Sequence, residues 1–187
     1  MSPLDLSRFT RREAPPLHSP RLDLVAATQS LLRAELSGRA ALRTALGVRL
    51  PAHWPPDLYE ADDMLRVLAA LEASDAEPEW HLRYLVEREA SRGPRLVGIA
   101  GFGGPPSADG TVLLGYSVVP EARGRGLATE AACALVAFAF TDPRTRCVAA
   151  ETFAELEASI RVLEKAGFAR VEGAETPGGI RFERGRG

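Results

Sequence analysis

A turn with two glycines, set between an apolar stretch and a helical pattern, constrains this sequence more than any other feature. Residues 118–128 read V-V-P-E-A-R-G-R-G-L-A, with Gly124 and Gly126 two positions apart. Residues 127–140 follow directly and have the apolar spacing of a helix. Glycine lets the main chain approach a ligand closely, and the free N–H groups at a helix N-terminus attract anions. The segment therefore predicts a strand–turn–helix anion site, to which Arg123 and Arg125 add positive charge.

The composition indicates one globular domain. The chain has 187 residues, of which 45% are hydrophobic and 26% charged, and this is ordinary for a folded domain. A net charge of -2 argues against a general nucleic-acid or anionic-membrane binder. No apolar stretch reaches membrane-spanning length, and the first residues lack the apolar core of a signal peptide. Cys133 and Cys147 form no metal or redox motif, so a cytoplasmic protein without a metal site is expected.

Hydrophobic periodicity predicts an α+β domain. Predicted strands cover residues 21–26, 80–87, 96–102, 111–119, 147–151, 169–172 and 180–183. Predicted helices cover residues 28–36, 40–46, 57–71, 127–140 and 156–166. The fourth and fifth strands, joined by a helix, should be parallel, whereas the first four should be antiparallel. We expect a flexible, proline-rich N-terminal arm at residues 1–20, a single domain at residues 21–184 and a disordered tail at residues 185–187.

Three motifs carry a resemblance to a known family. The pattern R-x-x-G-x-A is met by Arg123, Gly126 and Ala128, and A-E-T and A-S-I-R-V-L-E-K-A-G-F follow later in the chain. Together they resemble the GNAT superfamily of acyl-CoA-dependent N-acyltransferases, nearest the branch of ribosomal-protein N-terminal acetyltransferases. The resemblance extends from Arg21 to about Phe182. It implies a mixed, mostly antiparallel sheet of about seven strands flanked by helices, in which the parallel strands four and five splay apart.

The resemblance also implies a binding site for acetyl-CoA as co-substrate. In the family, backbone amides of the glycine turn hold the pyrophosphate, and the strand before it pairs with the pantetheine arm. The turn residues that carry this role over are Arg123, Gly124, Arg125, Gly126, Leu127 and Ala128. The strand residues are Ser117, Val118 and Val119. Arg161 and Lys165 are candidates for the adenine-side phosphates, although an ordinary solvated helix face explains them equally well.

The proton-transfer residues depart from the family pattern. Leu156 stands where the family often has an Asn, Leu163 where many members have a Tyr acid, and Leu113 where relatives often have a Glu. Some members of the nearer branch use the Ser of the same motif as acid, and here this is Ser159. His53, beside Trp54, is the first candidate for the general base.

Further candidates stay open around this proposed site. Glu151 and Asp109 are alternative bases, and a covalent route through Cys133 or Cys147 is the least favoured mechanism. Tyr116 and the loop 103–110 should border the acceptor side, and Trp54, Tyr59 and Trp80 are either core residues or pocket walls.

The resemblance predicts direct transfer of an acetyl group from acetyl-CoA to a primary amine in a ternary complex. The acceptor is a small molecule or a peptide or protein N-terminus. The alternative is a non-catalytic acyl-CoA-binding regulatory module, favoured by the three leucines at functional positions of the family. A plain nucleotide-binding domain is less supported, because no G-x-x-x-x-G-K-[ST] motif is present. Neither a nucleic acid nor a membrane is expected as partner, whereas a homodimer stays open because dimers are common in the family.

Overall fold

In residues 16–73, 77–89 and 92–187, which this computed structural model describes, the chain forms eight strands and five α-helices. The strands are β1 (Leu17–His18), β2 (Leu22–Ala26), β3 (Leu82–Glu87), β4 (Arg95–Phe102), β5 (Thr111–Val118), β6 (Cys147–Phe153), β7 (Ala169–Val171) and β8 (Gly179–Gly185). The helices are α1 (Gln29–Leu36), α2 (Arg39–Leu46), α3 (Ala61–Glu72), α4 (Leu127–Ala139) and α5 (Glu157–Lys165). None of these helices is both long and apolar enough to cross a bilayer.

The strands form one sheet in the order β1-β2-β3-β4-β5-β6-β8-β7. Neighbouring strands are antiparallel except β5 and β6, which are parallel and are connected through α4. This confirms the predicted α+β class and the mixed, mostly antiparallel sheet. The count is eight rather than about seven because Leu17 and His18, in the segment predicted as an arm, pair with Leu24 and Asp23 of β2. Residues 1–15 of the predicted arm lie outside the described residues.

Apolar side chains fill both faces of the sheet. On one face, α4 and α5 pack on a core that includes Leu127, Leu135 and Leu163. On the other face, α1, α2 and α3 cover the N-terminal half of the sheet with a second core, which includes Leu32 and Leu42. Strands β5 and β6 follow β4 in the sheet order, and none of their described residues belongs to the second core.

Three local predictions were wrong. Helix α3 begins at Ala61 rather than Asp57, because Glu60 and Asp63 form a capping box and Leu58 has a left-handed φ of 60°. Trp80 lies in a short 3₁₀ turn rather than a strand, and its ring packs against other aromatic side chains in the core, which is one of the two alternatives left open for it. At the other end of the chain, β8 extends to Gly185, inside the segment predicted as a disordered tail.

Candidate active site

The parallel strands β5 and β6 separate after a short paired region. Thr111, Val112 and Leu113 pair with β6, and no residue of β5 after Leu113 has a partner in β6 among the described residues. The other edge of β5 stays paired with β4 as far as Val118. The predicted splay is therefore confirmed, and it leaves the second half of β5 with an open main-chain edge facing β6.

The glycine turn lies directly beyond the open end of β5. A single 3₁₀ turn, Pro120–Ala122, leads into it, and Gly124 and Gly126 have φ values of 73° and 77°. Both values are left-handed, which explains two glycines so close together. Gly126 caps α4, and within the described chain the backbone N–H groups of residues 124–129 donate to no acceptor. Six unpaired donors at a helix N-terminus form an anion site.

The two arginine side chains of the turn both form ion pairs. Arg123 pairs with Asp57 at 2.5 Å and also donates from Nε to the Val118 carbonyl at 3.0 Å. Arg125 pairs with Glu87, whose pKa it lowers, through a 3.0 Å bond and a second, shorter contact. The guanidinium groups therefore hold the turn against neighbouring loops and strands, and they share their charge with Asp57 and Glu87.

Ser117, predicted to contact the pantetheine arm, donates its hydroxyl to the Asp57 carbonyl at 2.7 Å. Asp57 thus contacts both the end of β5 and Arg123 of the turn. Leu58 follows with its strained left-handed φ and a largely exposed side chain. The loop between α2 and α3 therefore reaches across to the predicted cofactor strand.

Ser159, the predicted acid, lies in the first turns of α5 and pairs with Tyr116 of β5. The two side-chain oxygens are 3.0 Å apart, and the Tyr116 hydroxyl is also 3.1 Å from the Ser159 carbonyl oxygen. Burial raises the pKa of Tyr116 to about 12, although its bond to Ser159 opposes the shift. Tyr116 therefore connects β5 to α5, and it brings a second hydroxyl to Ser159 that the sequence interpretation had assigned to the acceptor border.

A comparison with protein families connects this geometry to a known fold. Residues 26–169 match the family model described as "Acetyltransferase (GNAT) domain". The chain belongs to the GNAT acetyltransferase family. A comparison with curated protein sequences gives no significant match.

Solved structures share this GNAT fold. An acetyltransferase of the GNAT family from Bacillus anthracis has a TM-score of 0.60 at 17% identity, covering 91% of this chain and 98% of the other. A protein from Vibrio cholerae, provisionally identified as a ribosomal-protein-serine acetyltransferase, has a TM-score of 0.61 at 17% identity, with coverages of 91% and 97%. The aminoglycoside acetyltransferase AAC(6')-Ib, solved with coenzyme A and kanamycin, has a TM-score of 0.55 at 20% identity, with coverages of 88% and 95%. At these identities the likeness establishes the fold.

His53, the predicted base, lies near the glycine turn of the GNAT domain. Its side chain is 74% exposed, and Nδ1 is 3.4 Å from a carboxylate oxygen of Glu121, in the 3₁₀ turn that follows β5. Its backbone N–H donates to the same carboxylate at 3.3 Å. Ser159, in contrast, contacts Tyr116 in the middle of β5. The two predicted catalytic residues therefore contact different elements and share no hydrogen-bond partner.

The two alternative carboxylate bases are engaged in local structure. Glu151 accepts from the backbone N–H groups of Glu175 and Thr176 and from the Thr176 hydroxyl, and these bonds lower its pKa. Asp109 accepts from the Ser107 hydroxyl and from a backbone N–H in the hairpin turn, and its pKa is lowered too. A carboxylate that is already satisfied by several donors is a weak base. Their geometry explains both as loop anchors.

The remaining residues named in the sequence analysis lie on α4, α5 and β6. Arg161 pairs with Glu157 one helical turn away at 3.1 Å, on the exposed side of α5. Leu163, where the family often has a tyrosine, is buried in the core. Cys133 is exposed on α4, and burial raises the pKa of the Cys147 thiol. No His, Cys, Asp and Glu side chains in the described ranges group in a way that could hold a metal ion.

A buried carboxylate near the site was missed by the sequence interpretation. Glu35 is 8% exposed and accepts hydrogen bonds from Trp54 Nε1 at 2.8 Å, from the Tyr59 hydroxyl at 3.0 Å and from the Tyr84 hydroxyl at 2.6 Å. Desolvation raises its pKa, although the three hydrogen bonds oppose this. The sequence feature that could have revealed Glu35 is its helical spacing from Leu31 and Leu32, which places it on the buried side of α1. Glu35 ties the loop that contains Asp57 to α1 and β3.

Proposed function

We propose that this GNAT domain transfers the acetyl group of acetyl-CoA to a primary amine by direct transfer in a ternary complex. The amine belongs to a small molecule or to the N-terminus of a peptide or protein. The observation that carries the proposal is the row of unpaired N–H groups at residues 124–129, directly beyond the open edge of β5. A structural neighbour of the same fold, AAC(6')-Ib, has been solved with acetyl-CoA as well as with coenzyme A, which supports this co-substrate.

The glycine turn and the open strand edge suit the two polar parts of the cofactor. N–H groups from Gly124 to Ala128 would bind the diphosphate, whose charge is also favoured by the N-terminal dipole of α4. Of the predicted strand residues 117–119, Val118 would pair its main chain with the amides of the pantetheine arm in the manner of an added strand, because the Val119 N–H already donates to the Val97 carbonyl at 3.0 Å. Val118 can accept such a bond beside the one from Arg123, because a carbonyl oxygen has two lone pairs.

Transfer requires the amine nitrogen to form a bond to the thioester carbonyl carbon while the carbon–sulfur bond breaks. The leaving sulfur gains a proton and the attacking amine loses one. We assign the first proton to the hydroxyl pair of Ser159 and Tyr116, in which either oxygen can donate to the other. We assign the second to His53 acting through water. Of the three predicted bases, His53 is the one not held by several donors.

Titration calorimetry with coenzyme A, followed by a thiol-release assay with acetyl-CoA and a panel of amines, tests the proposal. Binding together with amine-dependent thiol release is the expected result. Binding without release on any amine would instead establish the regulatory-module alternative. Absence of coenzyme A binding would refute both.

A further inference from the structure

Gly115 of β5 is a glycine that neither the backbone conformation nor the packing requires. Its φ is not left-handed, and a Cβ built on it meets no atom within 4 Å. At two glycines of the neighbouring strand β4, in contrast, a Cβ would overlap backbone atoms. A Cβ on Gly98 would lie 2.3 Å from the Ser117 carbonyl oxygen, and one on Gly101 would lie 2.4 Å from the His81 carbonyl oxygen. Since glycine in a strand costs about 0.5–1 kcal/mol relative to alanine, the open space at Gly115 calls for another explanation.

The open space lies on the face of β5 away from α4. Val112, Leu114 and Val118 belong to the core on the α4 side. Because side chains alternate along a strand, Leu113 and Gly115 point to the opposite face, where Leu113 is 49% exposed. Pairing with β6 ends at Leu113, so the space above Gly115 begins where the two strands separate.

The strand residues around this space are Leu113 on β5 and, across the splay, Glu151 and Phe153 on β6. On β6, Val148 and Ala150 lie in the core, so alternation places Phe153 on the same face as Leu113. Phe153 and Leu156 are both 38% exposed, at the end of β6 and at the N-cap of α5. Among the described residues, three of the six exposed large apolar side chains are thus Leu113, Phe153 and Leu156.

The charged side chains on this face belong to β6, β8 and the loop before β8, and they form ion pairs with one another. Glu151 of β6 and Glu183 of β8 pair with Arg181 at 3.5 Å and 2.8 Å, and Glu175 pairs with it at 3.5 Å. Glu151 also accepts three hydrogen bonds from Glu175 and Thr176. The nearest neighbours of Gly115 on its own strand face are Leu113 and Ser117, neither of which is charged. A polycation above Gly115 would therefore find no uncommitted carboxylate on either strand.

We infer that Gly115 keeps open the entry of the acceptor, and that the acceptor is a primary amine with an aliphatic or aromatic group beside its nitrogen. This inference rests on the proposed function, which pairs the pantetheine arm with the adjoining part of β5. Direct transfer needs an open approach to that carbonyl from the solvent side, and the Gly115 face provides one. Leu113 would contact the apolar group of the acceptor and exclude water from it.

The test compares acceptors by thiol release from acetyl-CoA. Phenethylamine and isoamylamine represent apolar monoamines, whereas spermidine and kanamycin represent polycations. We expect kcat/KM for the apolar amines to be at least about tenfold higher, which is the discrimination that one well-placed apolar group supplies. Leu113→Glu should remove this preference and improve use of spermidine, whereas Leu113→Met should preserve it.

A second pair of variants tests the open space itself. Gly115→Val should raise KM for phenethylamine at least about tenfold by filling the entry, with an unchanged Kd for coenzyme A. Gly185→Val is the matched control, because Gly185 also lies in a strand, has no left-handed φ and has open surroundings. Thermal melting verifies that both variants fold.

Preferred use of spermidine or kanamycin by the wild type would overturn the inference. An unchanged KM for phenethylamine in folded Gly115→Val would overturn it too. Either result leaves the proposed acetyl transfer intact, because coenzyme A still binds and thiol is still released. Absence of coenzyme A binding by the wild type would instead refute the proposed function and the inference together.

Discussion

Two substitutions of Gly126 in the glycine turn, to Asn and to Asp, introduce side chains of nearly the same shape that differ in charge. Gly126 has φ 77° and ψ 9°, a conformation that Asn and Asp adopt more readily than other side chains. A Cβ at this position lies 3.6 Å from the nearest Arg21 nitrogen, which is an ordinary contact. Gly126→Asn and Gly126→Asp should therefore fold alike and differ mainly by one negative charge beside the proposed diphosphate site.

Coulomb's law gives the size of the effect. A carboxylate about 6 Å from each of about two phosphate charges, at an effective dielectric constant of about 40, costs about 1.4 kcal/mol per charge. The sum of about 2.8 kcal/mol corresponds to a Kd for coenzyme A about 100-fold weaker in Gly126→Asp than in Gly126→Asn. Because salt screens exposed charges, the ratio should shrink at 1 M ionic strength.

Titration calorimetry at low and high salt measures both Kd values, and thermal melting verifies that the variants have equal stability. Equal Kd values for the two variants at low salt would refute the placement of the diphosphate at residues 124–128. A ratio that does not depend on salt would show that the loss comes from altered shape rather than from charge.

Three further predictions concern the hydroxyl pair, the sheet and the buried carboxylate. Ser159→Ala and Tyr116→Phe should each lower kcat by about 100-fold with an unchanged Kd for coenzyme A, and an unchanged kcat would remove that residue from proton transfer. Gly98→Ala should lower the free energy of unfolding by about 1–3 kcal/mol in denaturant titrations, because its Cβ would overlap the Ser117 carbonyl oxygen, whereas Gly185→Ala should not. Burial raises the folded-state pKa of Glu35 above its usual 4.5, so the folded wild type binds this proton more tightly than the unfolded chain. The free energy of unfolding of the wild type relative to Glu35→Gln should thus be greatest below about pH 4.5 and fall as the pH rises through the folded-state pKa, and a difference that rises with pH would contradict this.

Local signals in the sequence were sufficient for most of the fold and for the glycine turn. Apolar periodicity located β2, β4, β5 and the helices α1 and α4 to within one or two residues. Gly124 and Gly126 were identifiable because the left-handed backbone they adopt restricts the residue type itself. The start of α3 was missed because its capping box at Glu60 competes with the equally good cap signal at Asp57.

Partners that are distant in sequence could not be predicted. Arg21 pairs with Glu130 and donates to the Arg125 carbonyl, across more than 100 positions of the chain. Such contacts depend on the register of the sheet, which a single sequence does not specify for polar side chains. The same reason explains why the ion pairs of Arg123 and Arg125 were not predicted, since their partners Asp57 and Glu87 come from other parts of the fold.

Asp57 connects the loop between α2 and α3 to both the end of β5 and the glycine turn, so that changes in these regions are coupled. Its carbonyl receives the Ser117 hydroxyl and its carboxylate binds Arg123, while the loop that carries it is fastened to Glu35 through Trp54. A ligand that rearranges Arg123 therefore acts on the loop, and a ligand that orders the loop acts on Arg123. Such a connection is a coupling free energy, and it is reciprocal by thermodynamic necessity. The factor by which cofactor changes the affinity for acceptor must equal the factor by which acceptor changes the affinity for cofactor.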